Sequence, residues 1–298
     1  MAAIHHHPIS LGLVSIVLLS LASAASYGMA AVLQHRAAVR EPRQQTMEAG
    51  LLVRLARRPV WLIGNALDGV GYAFQFLALR RGSLLLVEPL LVLSLVFALP
   101  VAAWLEHRRI SAAELAPTGA IAAGLALFLG IARPGIGHPH ASIFAWGVLT
   151  AVIAAACAAL MLGAHGGARR RAAVMLAFGS GMTCGYVAAL TERTGRILDG
   201  GIGHTLATWE PYALVVGGAL ALLLTQSAFN AGELRLSLPT LTVAQPLVAV
   251  LIGLAMFGEP INHHGLAPVA EVIGVALVTF GVFALSRSEM IAPPEPAS

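Results

Sequence analysis

The stretch Ser83–Leu105, SLLLVEPLLVLSLVFALPVAAWL, contains one charged residue, Glu88. A helix rises about 1.5 Å per residue, so about 20 apolar residues cross the roughly 30 Å hydrocarbon core of a bilayer. This stretch is long enough to do so. A second stretch of the same kind, Leu236–Phe257, reads LSLPTLTVAQPLVAVLIGLAMF and has Gln245-Pro246 where the first has Glu88-Pro89. Outward from these two, further apolar segments run Ile9–Leu33, Val60–Leu79, Leu115–Ile131, Ala141–Leu162, Ala172–Leu190, Tyr212–Asn230 and Leu266–Leu285. The reading is an all-α integral membrane protein of about nine transmembrane helices.

Composition agrees with that reading. Of 298 residues, 58% are hydrophobic and 11% charged, against roughly 45–50% and about 25% in soluble globular chains. So little charge cannot cover a soluble surface, and so much apolar surface excludes a disordered chain. Cys157 and Cys184 both lie inside apolar runs, which leaves no disulfide framework or zinc-ribbon spacing. All eighteen basic residues are arginines. They cluster between apolar segments, the pattern of a polytopic membrane protein and not of a nucleic-acid binder. No cofactor motif, Walker A sequence, HExxH helix or GxSxG elbow occurs, so the chain reads as a non-enzyme.

Arginine placement sets the expected orientation. Thirteen arginines fall on one side of a nine-span chain, and five (Arg80, Arg81, Arg133, Arg193 and Arg196) on the other. The positive-inside rule then puts the N-terminus outside and the C-terminus in the cytoplasm of a cell membrane. The first segment holds Ala22-Ser23-Ala24, which resembles a signal-peptide cleavage site. No basic residue precedes it, however, and Arg36 follows, so it reads as an intact span. The polar segment 34–58 ends in an amphipathic stretch, 46–58, that suits an interfacial helix or a degenerate tenth span. Residues 1–8 read as an outer tail, 132–140 as a linker and 287–298 as a disordered tail.

The chain also repeats. Val87-Glu88-Pro89-Leu90 matches Ala244-Gln245-Pro246-Leu247, and Gly124-Leu125-Ala126-Leu127 matches Gly274-Val275-Ala276-Leu277. Phe76 lies thirty residues before Glu106, as Phe229 does before Glu259. Spans two to four therefore correspond to spans seven to nine, in opposite orientation. The halves are 9–131, with four spans, and 141–286, with five. Inverted repeats of this kind build many secondary transporters, with the substrate near the midplane where the halves meet.

A Pro-Leu pair followed by a dozen apolar residues and a Glu, then a Gly-rich closing helix, occurs twice. In this the chain resembles the drug/metabolite transporter superfamily. The first span's AAVLQHRAA (residues 30–38) and the second's RRPVWLIG (residues 57–64) are most similar to its NIPA-type magnesium transporter branch. The resemblance implies a bundle of two inverted halves that moves a small solute, Mg²⁺ or another cation, by alternating access. Export of small organic metabolites or drugs is the alternative, and homodimerisation stays open.

Ionisable groups inside a bilayer are costly, so each is a functional candidate. Asn65, Asp68, Tyr72 and Gln75 recur at spacings of three, four and three, one face of the second span. Gly64, Gly69 and Gly71 on the same helix would let a neighbour or ligand approach. Glu88 and Gln245 occupy matching places in the two halves, each before a helix-kinking proline, Pro89 or Pro246. For Glu88, an interfacial residue neutralised by Arg80 or Arg81 is the competing reading. Gln226 and Asn230 share a face of the seventh span with Glu233, which is expected to reach the interface. Glu271 is a candidate buried acid that helix packing alone could explain. The histidines of the outer loops, His5, His6, His7, His138, His140, His204, His263 and His264, lack the fixed spacing of a metal site and read as polar filler.

Overall fold

The structure is a computed structural model and describes residues 7–38, 53–107, 109–132, 137, 141–165, 168–231, 234–259 and 267–286. Every regular element among them is helical. In chain order these are α1 (His7–Ala38), α2 (Pro59–Leu79), α3 (Leu84–Leu91), α4 (Ser94–Leu105), α5 (Ala112–Ala132) and α6 (Ile143–Ala164). They continue with α7 (Arg169–Ile197), α8 (Ile202–Leu206), α9 (Glu210–Ala231), α10 (Leu234–Ile252) and α11 (Ala267–Ser286). Among the described residues, nine helices are long and apolar enough to cross a membrane, with α3 and α4 counting as one. Nine such helices suggest a multi-pass membrane protein. Residues 1–6 of the outer tail, the tail 287–298, most of the linker and most of 46–58 lie outside the described residues, as do Glu233 and all the outer-loop histidines except His7 and His204.

Three departures from the expected spans have physical causes. The third span is broken at Val92-Leu93, where the amides of Val92 and Leu93 bond Pro89 and Leu90 instead of carbonyls four residues back. That tightened turn releases the Glu88 carbonyl from its helical partner. The eighth span runs as α10 through Pro239 and then Pro246, and its irregular turn comes later, at Gly253–Phe257. Close packing holds α10 on both sides of that proline: a Cβ on Gly185 of α7 would lie 2.6 Å from the Gln245 carbonyl oxygen. The sixth span does not end at Leu190 but runs on as α7 to Ile197, so Glu192, Arg193 and Arg196 are helical and not loop residues. Their charges are matched within the bundle, by Arg196 with Glu192 and by Arg193 with Glu210 at 2.7 Å.

Small residues decide which helices meet. α2 packs along α1, where Gly64 faces Gln34 and Gly71 faces Tyr27. α9 and α10 both pack on α7, and α3 meets α10. α5 and α11 pair at two glycines that face each other. A Cβ on Gly124 would lie 2.6 Å from the Gly274 carbonyl, and one on Gly274 would lie 2.8 Å from the Gly124 carbonyl. α2 and α9 do not pack closely on each other, and this leaves a gap.

Candidate functional site

That gap opens into a cavity of about 480 Å³ bounded by α1, α2, α3, α4, α7, α9 and α10. Asn65, Asp68, Tyr72 and Gln75 all line it, as the helical spacing requires, together with Glu88 from α3 and Gln245 and Pro246 from α10. Most of the remaining wall is apolar, contributed by Leu91, Val187, Leu214, Leu222, Phe229 and Leu241 among others. Among the described residues, no arginine or histidine lines it. Gly69 and Gly218 border it with nothing within 4 Å of where a Cβ would stand.

The two acids are held differently. Glu88 is fully buried. Its Oε1 accepts from Gln75 Nε2 at 2.6 Å, and its Oε2 accepts from Gln245 Nε2 at 2.9 Å. Gln75 Oε1 in turn accepts from the Tyr27 hydroxyl at 2.5 Å. One side-chain chain thus joins α1, α2, α3 and α10. The competing reading of Glu88 as an interfacial partner of Arg80 or Arg81 is overturned, since Glu88 is buried between two amides and Arg80 bonds Asp199 at 2.7 Å. Asp68 is half-buried and faces the cavity. Its stripe neighbours are otherwise engaged: Asn65 Nδ2 donates to the Trp61 carbonyl at 3.0 Å, and the Tyr72 hydroxyl pairs with Thr191 Oγ1 at 3.0 Å. No described residue hydrogen-bonds the Asp68 carboxylate. Only water, a proton or a bound cation is left to balance its charge.

The other expected residues lie elsewhere. Gln226 is buried beside the cavity and not in its wall, where its Nε2 donates to Gln34 Oε1 at 2.7 Å and its Oε1 accepts from Trp61 Nε1 at 3.3 Å. Asn230 is buried one turn further along α9. Pro89 is buried within α3 but does not line the cavity. Glu271 is half-buried on α11, away from the site, with one carboxylate oxygen lacking a partner among the described residues. Among the described residues no group of three or more His, Cys, Asp or Glu could hold a metal ion.

Sequence reasoning missed Tyr27 and Gln34, which line the cavity from α1. The signal was there. Ser20, Ser23, Tyr27 and Gln34 fall on one helical face of that span, and Ser23 Oγ bonds the Gly71 carbonyl at 2.8 Å. Cys184 and Thr225 also border the cavity, each beside other polar residues, Thr183 and Gln226.

An uncharacterized protein of Corynebacterium glutamicum is 32% identical to the chain over 275 residues, which covers 91% of this chain and 94% of that protein. The chain belongs to that protein's family. Because the match takes in nearly all of both chains, the kinship concerns the whole helical assembly and not one module. No family model and no solved structure matches the chain.

Proposed function

We propose that the chain is a polytopic membrane transporter of the drug/metabolite transporter type, which moves a small solute across the membrane by alternating access. The observation that carries this reading is the cavity itself. It lies among seven helices drawn from both halves of the repeat, and an acid without a partner among the described residues faces into it. Pairing of repeat-equivalent residues supports an inverted duplication. Glu88 bonds its own counterpart Gln245, and Gly124 packs on its counterpart Gly274. The first helix of the first half and the second helix of the second half, α1 and α7, match too. Gly28 of α1 approaches the α4 backbone as Gly181 of α7 approaches the α10 backbone, at the same sequence offset as Phe76 and Phe229. Two halves that meet through such self-pairs can rock about the contact and expose the cavity to each side in turn.

Two acids and no base in the wall favour a cation over an anion. The magnesium reading rests on the branch resemblance, with the ion retaining its water beside Asp68. A second reading, an exporter of small organic molecules, draws on a different observation. About 480 Å³ of largely apolar cavity is in the range that holds organic ligands, roughly 300–1,000 Å³, and it opens between α2 and α9. The N-terminus would lie outside the cell membrane and the C-terminus in the cytoplasm, following the arginine distribution. Purified protein in liposomes should accumulate labelled Mg²⁺ or an organic cation down an imposed gradient. Growth of deletion and overexpression strains under magnesium limitation and under toxic organic cations then separates the two. Liposomes that move neither cations nor small organic solutes would leave a scaffold or embedded enzyme as the reading.

A further inference from the structure

A second buried charged cluster lies away from the cavity, where the start of α3 meets the ends of α7 and α10. Glu192 is fully buried and Glu259 nearly so. The two oxygens of Glu259 accept the backbone N–H groups of Leu84 and Leu85, each at 2.9 Å. Those amides are unsatisfied donors at the positive end of α3. Glu192 Oε1 is bonded by Arg196, while its Oε2 is buried with no partner. Arg196 also donates to the Gly137 carbonyl at 2.9 Å and lies 5.5 Å from the Phe257 ring centroid. The same Gly137 packs on Glu259, where a Cβ would lie 2.9 Å from Glu259 Cγ, so the two acids meet around one arginine.

Among the described residues, the other charges nearby are committed elsewhere. Arg193 bonds Glu210 of α9 at 2.7 Å and lies over Trp146 of α6, and Arg80 bonds Asp199. Ser83, the neighbouring polar side chain on the α3 side, is buried with its hydroxyl unpartnered. Among the described residues, two buried acids therefore share one arginine, and Glu192 Oε2 has no hydrogen-bond partner. A single proton on Glu192 Oε2, donated to Glu259, supplies the missing partner and removes the excess negative charge; a carboxylate has lone pairs for this third contact.

We propose that Glu192 and Glu259 form a proton-binding site, separate from the cavity, whose one shared proton clamps α3, α7 and α10 together at this end of the bundle. Burial pushes the Glu259 carboxyl above its ordinary range, and its bonds to the Leu85 and Leu84 amides oppose that shift without cancelling it. At low pH the proton is bound and the clamp is closed. As pH rises the proton leaves, and two carboxylates face each other across a poorly solvated contact with one arginine between them. The clamp joins a helix of the first half to two of the second, so its release loosens one end of the assembly. It does not depend on what the cavity binds. Loss of transport with the clamp's pH response intact would count against the cavity and not against this site.

The test is thiol accessibility in the purified full-length protein. Ser83→Cys reports on the cluster, Gly203→Cys on an exposed position, both in a Cys157→Ala/Cys184→Ala background. The labelling rate at position 83 with an uncharged methanethiosulfonate is divided by that at position 203, and the same ratio in the Glu192→Gln background controls for the ionisation of the buried thiol itself. The ratio should rise roughly tenfold between about pH 5.5 and about pH 8.5. In the Glu192→Gln background, where an amide hydrogen stands permanently in place of the shared proton, it should stay low and flat. A ratio independent of pH in the parent overturns the proposal, as does an equal rise in Glu192→Gln. If that variant does not fold, the parent ratio alone decides.

Discussion

Asp68→Asn separates binding from structure, because the two roles give opposite signs. The Asp68 carboxylate faces the cavity and receives no hydrogen bond from a described residue. An amide there breaks no contact and removes an ionised group that costs about 2.5–3.5 kcal/mol at membrane depth. The variant should therefore insert normally and unfold at the parent's temperature or above it. Binding moves the other way. A cation about 4 Å from a carboxylate gains about 4 kcal/mol at an effective dielectric of about 20, and about half of that where water shares the half-open cavity. At about 1.4 kcal/mol per decade, removing the charge should weaken binding by roughly 30-fold to 1,000-fold. Uptake into liposomes and thermal unfolding in detergent, measured on one preparation, give both numbers. Lower thermal stability with unchanged uptake would refute the reasoning and make Asp68 structural. Unchanged uptake with unchanged stability would remove it from the site.

Glu88 should behave in the reverse manner. Glu88→Met strands the Gln75 and Gln245 amides in a buried wall, at about 1–3 kcal/mol each, so the unfolding temperature should fall well below that of Asp68→Asn. A midpoint equal to the parent's would dispose of the two-amide cradle. Gly274→Leu drives a side chain into the Gly124 carbonyl, 2.8 Å from the Cβ position, and should cost about 1–3 kcal/mol or more. Gly130→Ala, with nothing within 4 Å of its Cβ position, is the neutral control, and equal effects at the two sites would contradict the close α5–α11 approach. Cysteines introduced at Gly135 and Gly203 should react with impermeant thiol reagents from outside intact cells, and one at Gly166 should not. The reversed pattern would invert the orientation drawn from the arginines.

The number and rough placement of the long helices were legible because each is a one-dimensional signal: a run of apolar residues closed by arginine, proline or glycine. Within them the stripe from Asn65 to Gln75 was legible for a similar reason, since helical spacing alone puts four polar groups on one face. Two kinds of feature were hidden. One was depth at a helix end. Glu192, Arg193 and Arg196 read as loop residues because a charged triplet normally ends a span, and only Glu210 across the bundle and the Glu192–Arg196 pair within the helix make a longer α7 affordable. The other was pairing between distant segments. Glu259 marked the repeat in the sequence, but nothing local indicates that it caps the first amides of α3 from 174 residues away. Likewise Gln34 and Gln226 are each ordinary membrane-helix polar residues until the fold sets them 2.7 Å apart.

The environments of the two cavity acids suggest how their roles divide if the chain transports. Glu88 spends both oxygens on amides from α2 and α10, so its charge is answered by the protein in the absence of any ligand. Any movement of α10 relative to α3 must break the Gln245 bond and uncover that charge. Asp68 has no such engagement, and its charge is answered only by what enters the cavity. A cation at Asp68 could then supply the compensation that Glu88 loses when the halves part, which makes separation of α3 from α10 cheaper with the cavity filled than empty. Coupling of this kind needs two acids with unequal partners rather than two alike. It also explains why the equivalent place in the second half holds Gln245, a neutral donor: an acid there would face Glu88 across the contact and repel it.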